Sequence, residues 1–190
     1  MTLYKRKYRT ESIRLRAWDY TTPWWYYVTI NTQNHICHFG DVVNGRMLLN
    51  MKGKIVGIIW NEIPAKYPIV ELDKYIIMPN YLHGIIIINS NIQTASNEIV
   101  ETCRGKSLLE ENERKFGKPE KNSLSMIVNH FKGSVTKSFE KNGFSNNKWQ
   151  PRFFERIIRN EDELFRIRKY REQNPLRWEI EKNMPDNLEI

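Results

Sequence analysis

The chain has 190 residues, with 30 Lys and Arg against 22 Asp and Glu, a formal charge of +8 and two cysteines. That length suits one domain with a sizeable core, and the positive excess points to a polyanionic partner, nucleic acid first. Cys37 and Cys103 lie far apart and in no Cys-x-x-Cys pattern, which excludes a zinc knuckle and a disulfide framework; no apolar run has the length of a signal peptide or a membrane span, so a soluble protein of the reducing cytoplasm is expected.

Residues 1–23 form a basic aromatic arm in which Lys5, Arg6, Lys7, Arg9, Arg14 and Arg16 are interleaved with Tyr4, Tyr8, Trp18 and Tyr20. Cations beside rings suit phosphate contact with base stacking on a single strand, which makes Arg6, Arg14 and Arg16 candidate DNA contacts. A solvated arm whose long side chains snorkel is the alternative. Trp24 to Asn31 is rich in aromatic and β-branched residues and reads as the first strand. His35 and His38 follow in a loop that ends at Phe39-Gly40-Asp41, and that loop setting argues against a metal pair there.

Asn50 can cap a helix running to about Glu62, with Ile55, Ile58 and Ile59 on one face and Pro64 and Pro68 ending it. From about Val70 to Ile88, two apolar strands hinge at Met78-Pro79-Asn80, because Pro punctuates a sheet and Asn tolerates turn geometry. On the second strand, alternation projects Tyr81 and His83 to one side and Leu82 to the other. The result is a two-pronged polar device on a stiff apolar support.

Residues 89–122 lose apolar periodicity and read as a polar surface excursion of the same domain. A long helix starts near Ser123, with Leu124, Ile127, Val128, Phe131, Val135 and Phe139 at spacings of three and four. His130 lies off that stripe and reads as a solvated helix residue. Phe153 to Ile158 reads as a strand, and Asn160-Glu-Asp-Glu163 is a capping-box pattern. The helix it opens carries Leu164, Ile167 and Tyr170 and is expected to stop near Asn174, since Pro175 disfavours α geometry in the residue before it. Tyr170 and Asn174, four apart, share a face. From Trp178 the chain reads as loosely attached, and residues 179–190 as a polar tail.

Arg152, Arg156 and Arg159 alternate with Phe153, Phe154, Ile157 and Ile158 beside this last helix. They read as phosphate contacts in preference to solvated edge charges. The order strand, helix, strand, strand, helix, strand, helix matches an α+β fold: a ferredoxin-like βαββαβ antiparallel sheet with an added C-terminal helix. Such a fold hosts many functions, so the site must decide. An RNA-recognition module would show paired aromatics on its central strands within a Lys/Arg-Gly-Phe pattern, where this chain has Ile85 to Ile88.

Three stretches occur in order: Met78-Pro-Asn-Tyr-Leu-His-Gly84, Trp149-Gln-Pro-Arg-Phe-Phe-Glu-Arg-Ile-Ile-Arg-Asn160 and Tyr170-Arg-Glu-Gln-Asn-Pro175. With the Val28-Thr-Ile-Asn-Thr32 strand and Phe39-Gly40, they resemble the REP-associated tyrosine transposases, members of the single-tyrosine HUH superfamily, over residues 24–178. The resemblance implies a metal-assisted transesterification of hairpin-bearing single-stranded DNA, through a 5′-phosphotyrosyl enzyme and a free 3′-hydroxyl. It implies that Tyr170 on the C-terminal helix is the nucleophile, that His83 is the second histidine of a His-hydrophobic-His strand, and that Asn174 is the helix-borne ligand of Mg²⁺ or Mn²⁺.

Tyr81 stands where that family has its first histidine. A neutral phenol is a poor ligand, because its oxygen becomes a strong donor only on losing a proton near pH 10. The expected consequences are a weaker metal site, recruitment of another ligand such as Asn80, or a domesticated protein that binds hairpin DNA without cutting it. A monomer is expected ahead of a homodimer, and no membrane partner.

Overall fold

The computed structural model describes residues 18–90, 120–144 and 147–183. Arg6, Arg14 and Arg16, most of the 89–122 excursion and residues 184–190 lie outside the described residues.

Strand β1 (Trp24–Asn31) is the hub of a four-stranded antiparallel sheet. It pairs with β5 (Tyr81–Ile88) on one side and with β6 (Phe154–Ile157) on the other, while β4 (Val70–Met78) pairs with the outer edge of β5. The strand order β4-β5-β1-β6 is what the βαββαβ reading requires. The β4–β5 turn sits at Pro79-Asn80 as expected, and its carbonyls are consumed locally: Pro79 O accepts the amides of His38 and Phe39, and Asn80 O accepts that of Thr32.

One face of the sheet is the main core. Tyr26, Val28 and Ile30 of β1 and Leu82 and Ile86 of β5, all fully buried, pack against helices α1 (Met51–Asn61) and α3 (Leu124–Lys141). The predicted α3 stripe is buried residue for residue. On α1 the buried face is Gly53, Ile55, Val56, Gly57 and Trp60, with Ile59 partly buried against the core, so of the expected isoleucine face only Ile58, which is exposed, is corrected. Trp60 lies flat against β5 because Gly84 leaves room: a Cβ there would meet Trp60 Cζ2 at 2.4 Å. The caps read at Asn50 and Asn160 form, Asn50 Oδ1 accepting Gly53 N and Asn160 Oδ1 accepting Glu163 N, and Ser123 Oγ adds a third by accepting Met126 N.

Two elements differ from expectation. A two-stranded hairpin, β2 (Gly40–Val43) and β3 (Arg46–Leu49), precedes α1 and turns at Asn44-Gly45, both at positive φ. An Asn-Gly pair between alternating apolar residues is the chemistry for such a turn. A short helix, α2 (Ile63–Lys66), follows α1, and Pro64 falls in its first turn, where a missing N–H costs nothing.

The final helix, α4 (Glu161–Asn183), crosses the opposite face of the sheet. It does not stop at Asn174. Pro175 lies inside it, and the segment beyond is retained by tertiary contacts: Glu179 accepts the amides of Asn44 (3.0 Å) and Gly45 (2.6 Å), and Trp178 lies edge-on to Tyr81. These contacts offset the backbone hydrogen bond that proline removes. Residues 179–183 are therefore helix, a correction to the polar tail. His130 is likewise corrected, being half-buried with its Nδ1 2.7 Å from the Tyr67 hydroxyl.

Candidate active site

The site forms where β5, β1 and α4 meet. Strand parity places Thr29 and Tyr27 of β1 on the same side as Tyr81 and His83 of β5, since Thr29 is the register partner of His83. On α4 the spacing of four places Tyr170 and Asn174 over these side chains. The His83 and Tyr170 ring centroids are 6.2 Å apart, and Tyr170 remains 41% exposed. The two prongs of the sequence reading and the helix-borne pair therefore converge.

His83 is buried among tyrosine rings, 4.4 Å from Tyr81 and 5.3 Å from Tyr27 by ring centroids. Its Nδ1 lies 2.7 Å from Thr29 Oγ1. Burial lowers its pKa to about 4, so the imidazole is neutral at physiological pH. The Tyr81 phenol is pushed up to about 12, chiefly by burial. Tyr81 Oη donates to Asn174 Oδ1 at 3.1 Å, and Asn174, only 3% exposed, leaves its Nδ2 without a protein partner.

A cleft of about 430 Å³ opens beside this cluster, lined by Tyr27, Thr29, His83, Phe154, Arg166 and Tyr170 among others. Arg177 lies over the Tyr170 ring at 5.2 Å. Arg166 and Arg177 were not singled out from the sequence, although their spacing of four and seven from Tyr170 puts them on its flank of the helix. Of the three arginines read as phosphate contacts, Arg156 lines the cleft but is paired with Glu163 at 2.5 Å. Arg159 is exposed in a separate cleft with Trp24 and Trp25, and Arg152 is exposed at positive φ before β6. None of the three lies over the Tyr170 ring as Arg177 does, and Arg166 shares the cleft lining with Arg156. Arg168 and Arg171 tie α4 to β4, through Asp73 Oδ2 (2.8 Å) and Tyr75 O (3.0 Å).

The resemblance implies Mg²⁺ or Mn²⁺ at this donor set. His83 Nε2 suits a metal, but Tyr81 Oη and Asn174 Oδ1 are engaged with each other, and the phenol titrates far above neutrality. Asn80 is tied to the loop by its Nδ2, which donates to His35 O; its buried Oδ1 is unpartnered among the described residues, but no contact there joins it to His83 or Asn174. Among the described residues, no three His, Cys, Asp or Glu side chains gather at one point. A hard, oxygen-seeking cation would find one imidazole and an amide oxygen already in use, and as arranged these residues do not fit it.

The antiparallel sheet and the helix laid across it form an α+β fold that recurs in a solved structure. The chain superposes with a TM-score of 0.54 and 16% identity on a REP-associated tyrosine transposase bound to a REP hairpin, covering 90% of this chain and 74% of that one. This likeness shows the fold. In sequence the chain is 37% identical over 171 residues to an uncharacterized protein of Haemophilus influenzae, spanning 88% of this chain and 89% of that protein. It belongs to the same family as that protein. No family model matches the sequence.

Proposed function

We propose that this chain is a REP-associated-type tyrosine transposase, a cytoplasmic, monomeric enzyme of DNA transposition and recombination that cuts and rejoins single-stranded DNA carrying hairpins. The observation that carries the reading is the half-exposed phenol of Tyr170, held by α4 against His83 at the mouth of an arginine-flanked cleft. Supporting it are the shared fold, the DNA hairpin bound by the neighbour of that fold, and the excess of positive charge.

In the proposed reaction Tyr170 Oη forms a bond to a backbone phosphorus as the P–O3′ bond breaks. The phenolic proton leaves, the departing O3′ takes up a proton, and the product is a 5′-phosphotyrosine with a free 3′-hydroxyl. The guanidinium group of Arg177 lies over the Tyr170 ring, and Arg166 lines the cleft beside it, so positive charge stands where the phosphate must approach. The same charges face the non-bridging oxygens as negative charge develops on them.

A second reading, a hairpin-binding protein that does not cut, is favoured by the bond between Tyr81 and Asn174. A 5′-labelled and a 3′-labelled hairpin oligonucleotide separate the two. The enzyme gives a covalent protein–DNA adduct that disappears in Tyr170→Phe, with label retention assigning the 5′ linkage. A mobility shift without adduct in the wild type establishes the binder.

A further inference from the structure

We infer that the hydrogen bond between Tyr81 and Asn174 takes over the bridging place of the implied divalent cation, tying α4 to β5, and that this tyrosine site works without such an ion. Tyr81 is then a positioning residue, acting on Tyr170 through the helix that carries it.

An ion here would be held by a donor on β5 and by the amide oxygen of Asn174 on α4, one turn from Tyr170. The phenol already makes that connection at 3.1 Å, between two side chains separated by 93 residues in sequence. Its ring is packed from both sides, by His83 at 4.4 Å and edge-on by Trp178 at 5.8 Å, so the hydroxyl is held where it meets the amide.

For a cation to enter, the phenol must release Asn174 Oδ1, and a part-buried hydroxyl then loses its partner. The ion would also have to shed most of its water beside Asn174 (3% exposed) and His83 (9% exposed), which Mg²⁺ does reluctantly. A neutral hydrogen bond carries none of that desolvation cost. The chain therefore keeps the mechanical role of the ion and gives up its charge, and the positive groups left to face a phosphate at Tyr170 are Arg166 and Arg177.

The inference rests on the proposed transesterification only for its activity arm, and the experiment keeps the two apart. The full-length protein and its Tyr81→His, Tyr81→Phe and His83→Ala variants are titrated with Mn²⁺ and Co²⁺, and amide hydrogen exchange is followed across residues 168–178. The wild type is expected to show no His83-dependent ion binding. Tyr81→His, with two imidazoles on one strand face, is expected to bind Co²⁺ at least about tenfold more tightly than wild type, with the absorption of an imidazole complex. Tyr81→Phe keeps the ring and is expected to exchange faster in α4, while Tyr81→His regains slow exchange only when Co²⁺ is added. A merely structural tyrosine would not make helix protection ion-dependent.

Wild-type Mn²⁺ binding that His83→Ala abolishes would overturn the inference, as would unchanged α4 exchange in Tyr81→Phe. With hairpin DNA, the wild-type adduct is expected to survive chelator, and an adduct that requires Mn²⁺ overturns the inference as well. If no adduct forms under any condition while the ion and exchange results come out as expected, the proposed reaction fails, and with it the ion-free activity, while the replacement of the ion by the Tyr81–Asn174 bond as the tie between β5 and α4 stands.

Discussion

The two faces of the sheet share the same strands and differ by a single residue step. Toward α1 and α3, Tyr26, Val28, Ile30, Leu82 and Ile86 are fully covered and held together by apolar packing. One step along, Tyr81 and His83 meet α4 through a hydrogen bond and a ring contact, with Thr29 and Tyr27 against His83, beside an open cleft. Because side chains alternate with period two, one backbone supplies both surfaces, and residue parity separates what holds the fold from what faces the cleft.

Substitutions of opposite parity should therefore fail in opposite ways. The largest effect is expected on the closed face. Trp60→Ala empties the space between β5, Phe131 and α1 and should cost about 3–5 kcal/mol, measured by urea denaturation, with DNA binding lost only as the protein unfolds. A cost below about 1 kcal/mol would mean that this face is not the principal core.

Next in size is the pH response of the open face. The His83 pKa is about 4 in the folded chain against 6.5 for an ordinary histidine, so between these values the unfolded state binds the extra proton. Stability contributed by keeping the ring neutral is present above pH 6.5 and is lost as the pH falls toward 4, about 3 kcal/mol in all. Denaturation midpoints taken across that interval should show the slope in wild type and a flatter one in His83→Gln. Equal slopes would place the acid sensitivity elsewhere.

The smallest effect should come from Tyr170 itself. Its ring is 41% exposed, so removing the hydroxyl in Tyr170→Phe should move stability by less than about 0.5 kcal/mol. A large loss in the same denaturation assay would turn the proposed nucleophile into a structural tyrosine and erase the contrast between the faces.

Local patterns carried most of the fold. The α3 stripe, the caps at Asn50 and Asn160, the Pro79-Asn80 turn and the Tyr81/His83 parity depend on neighbours within a few residues, so the sequence displays them directly. The β2–β3 hairpin is legible too, in Asn44-Gly45 between alternating apolar residues. The end of α4 was not. Proline's local preference is real, and it was overridden by Glu179 reaching a turn 134 residues away, which no window along the chain contains.

The site divides along the same line. Tyr170, His83 and Asn174 were found because each sits in a short motif, and the structure brings them together. The bond between Tyr81 and Asn174, the pairing of Arg156 with Glu163, and the placement of Arg166 and Arg177 beside the cleft follow from how α4 lies across the sheet. Helix spacing alone could place the last two near Tyr170, but not the cleft into which that flank opens.

The helix bearing Tyr170 is fastened along its whole length. Its first turn is closed by Asn160 and Glu163, its middle is tied by Arg168 to Asp73 and by Asn174 to Tyr81, and its last turns are moored by Glu179 to the Asn44-Gly45 hairpin. A lever pinned at both ends and twice between cannot swing its reactive tip toward a second molecule without undoing several of these ties together. In the proposed reaction it would then be the nucleic acid that bends its strand down to a stationary phenol.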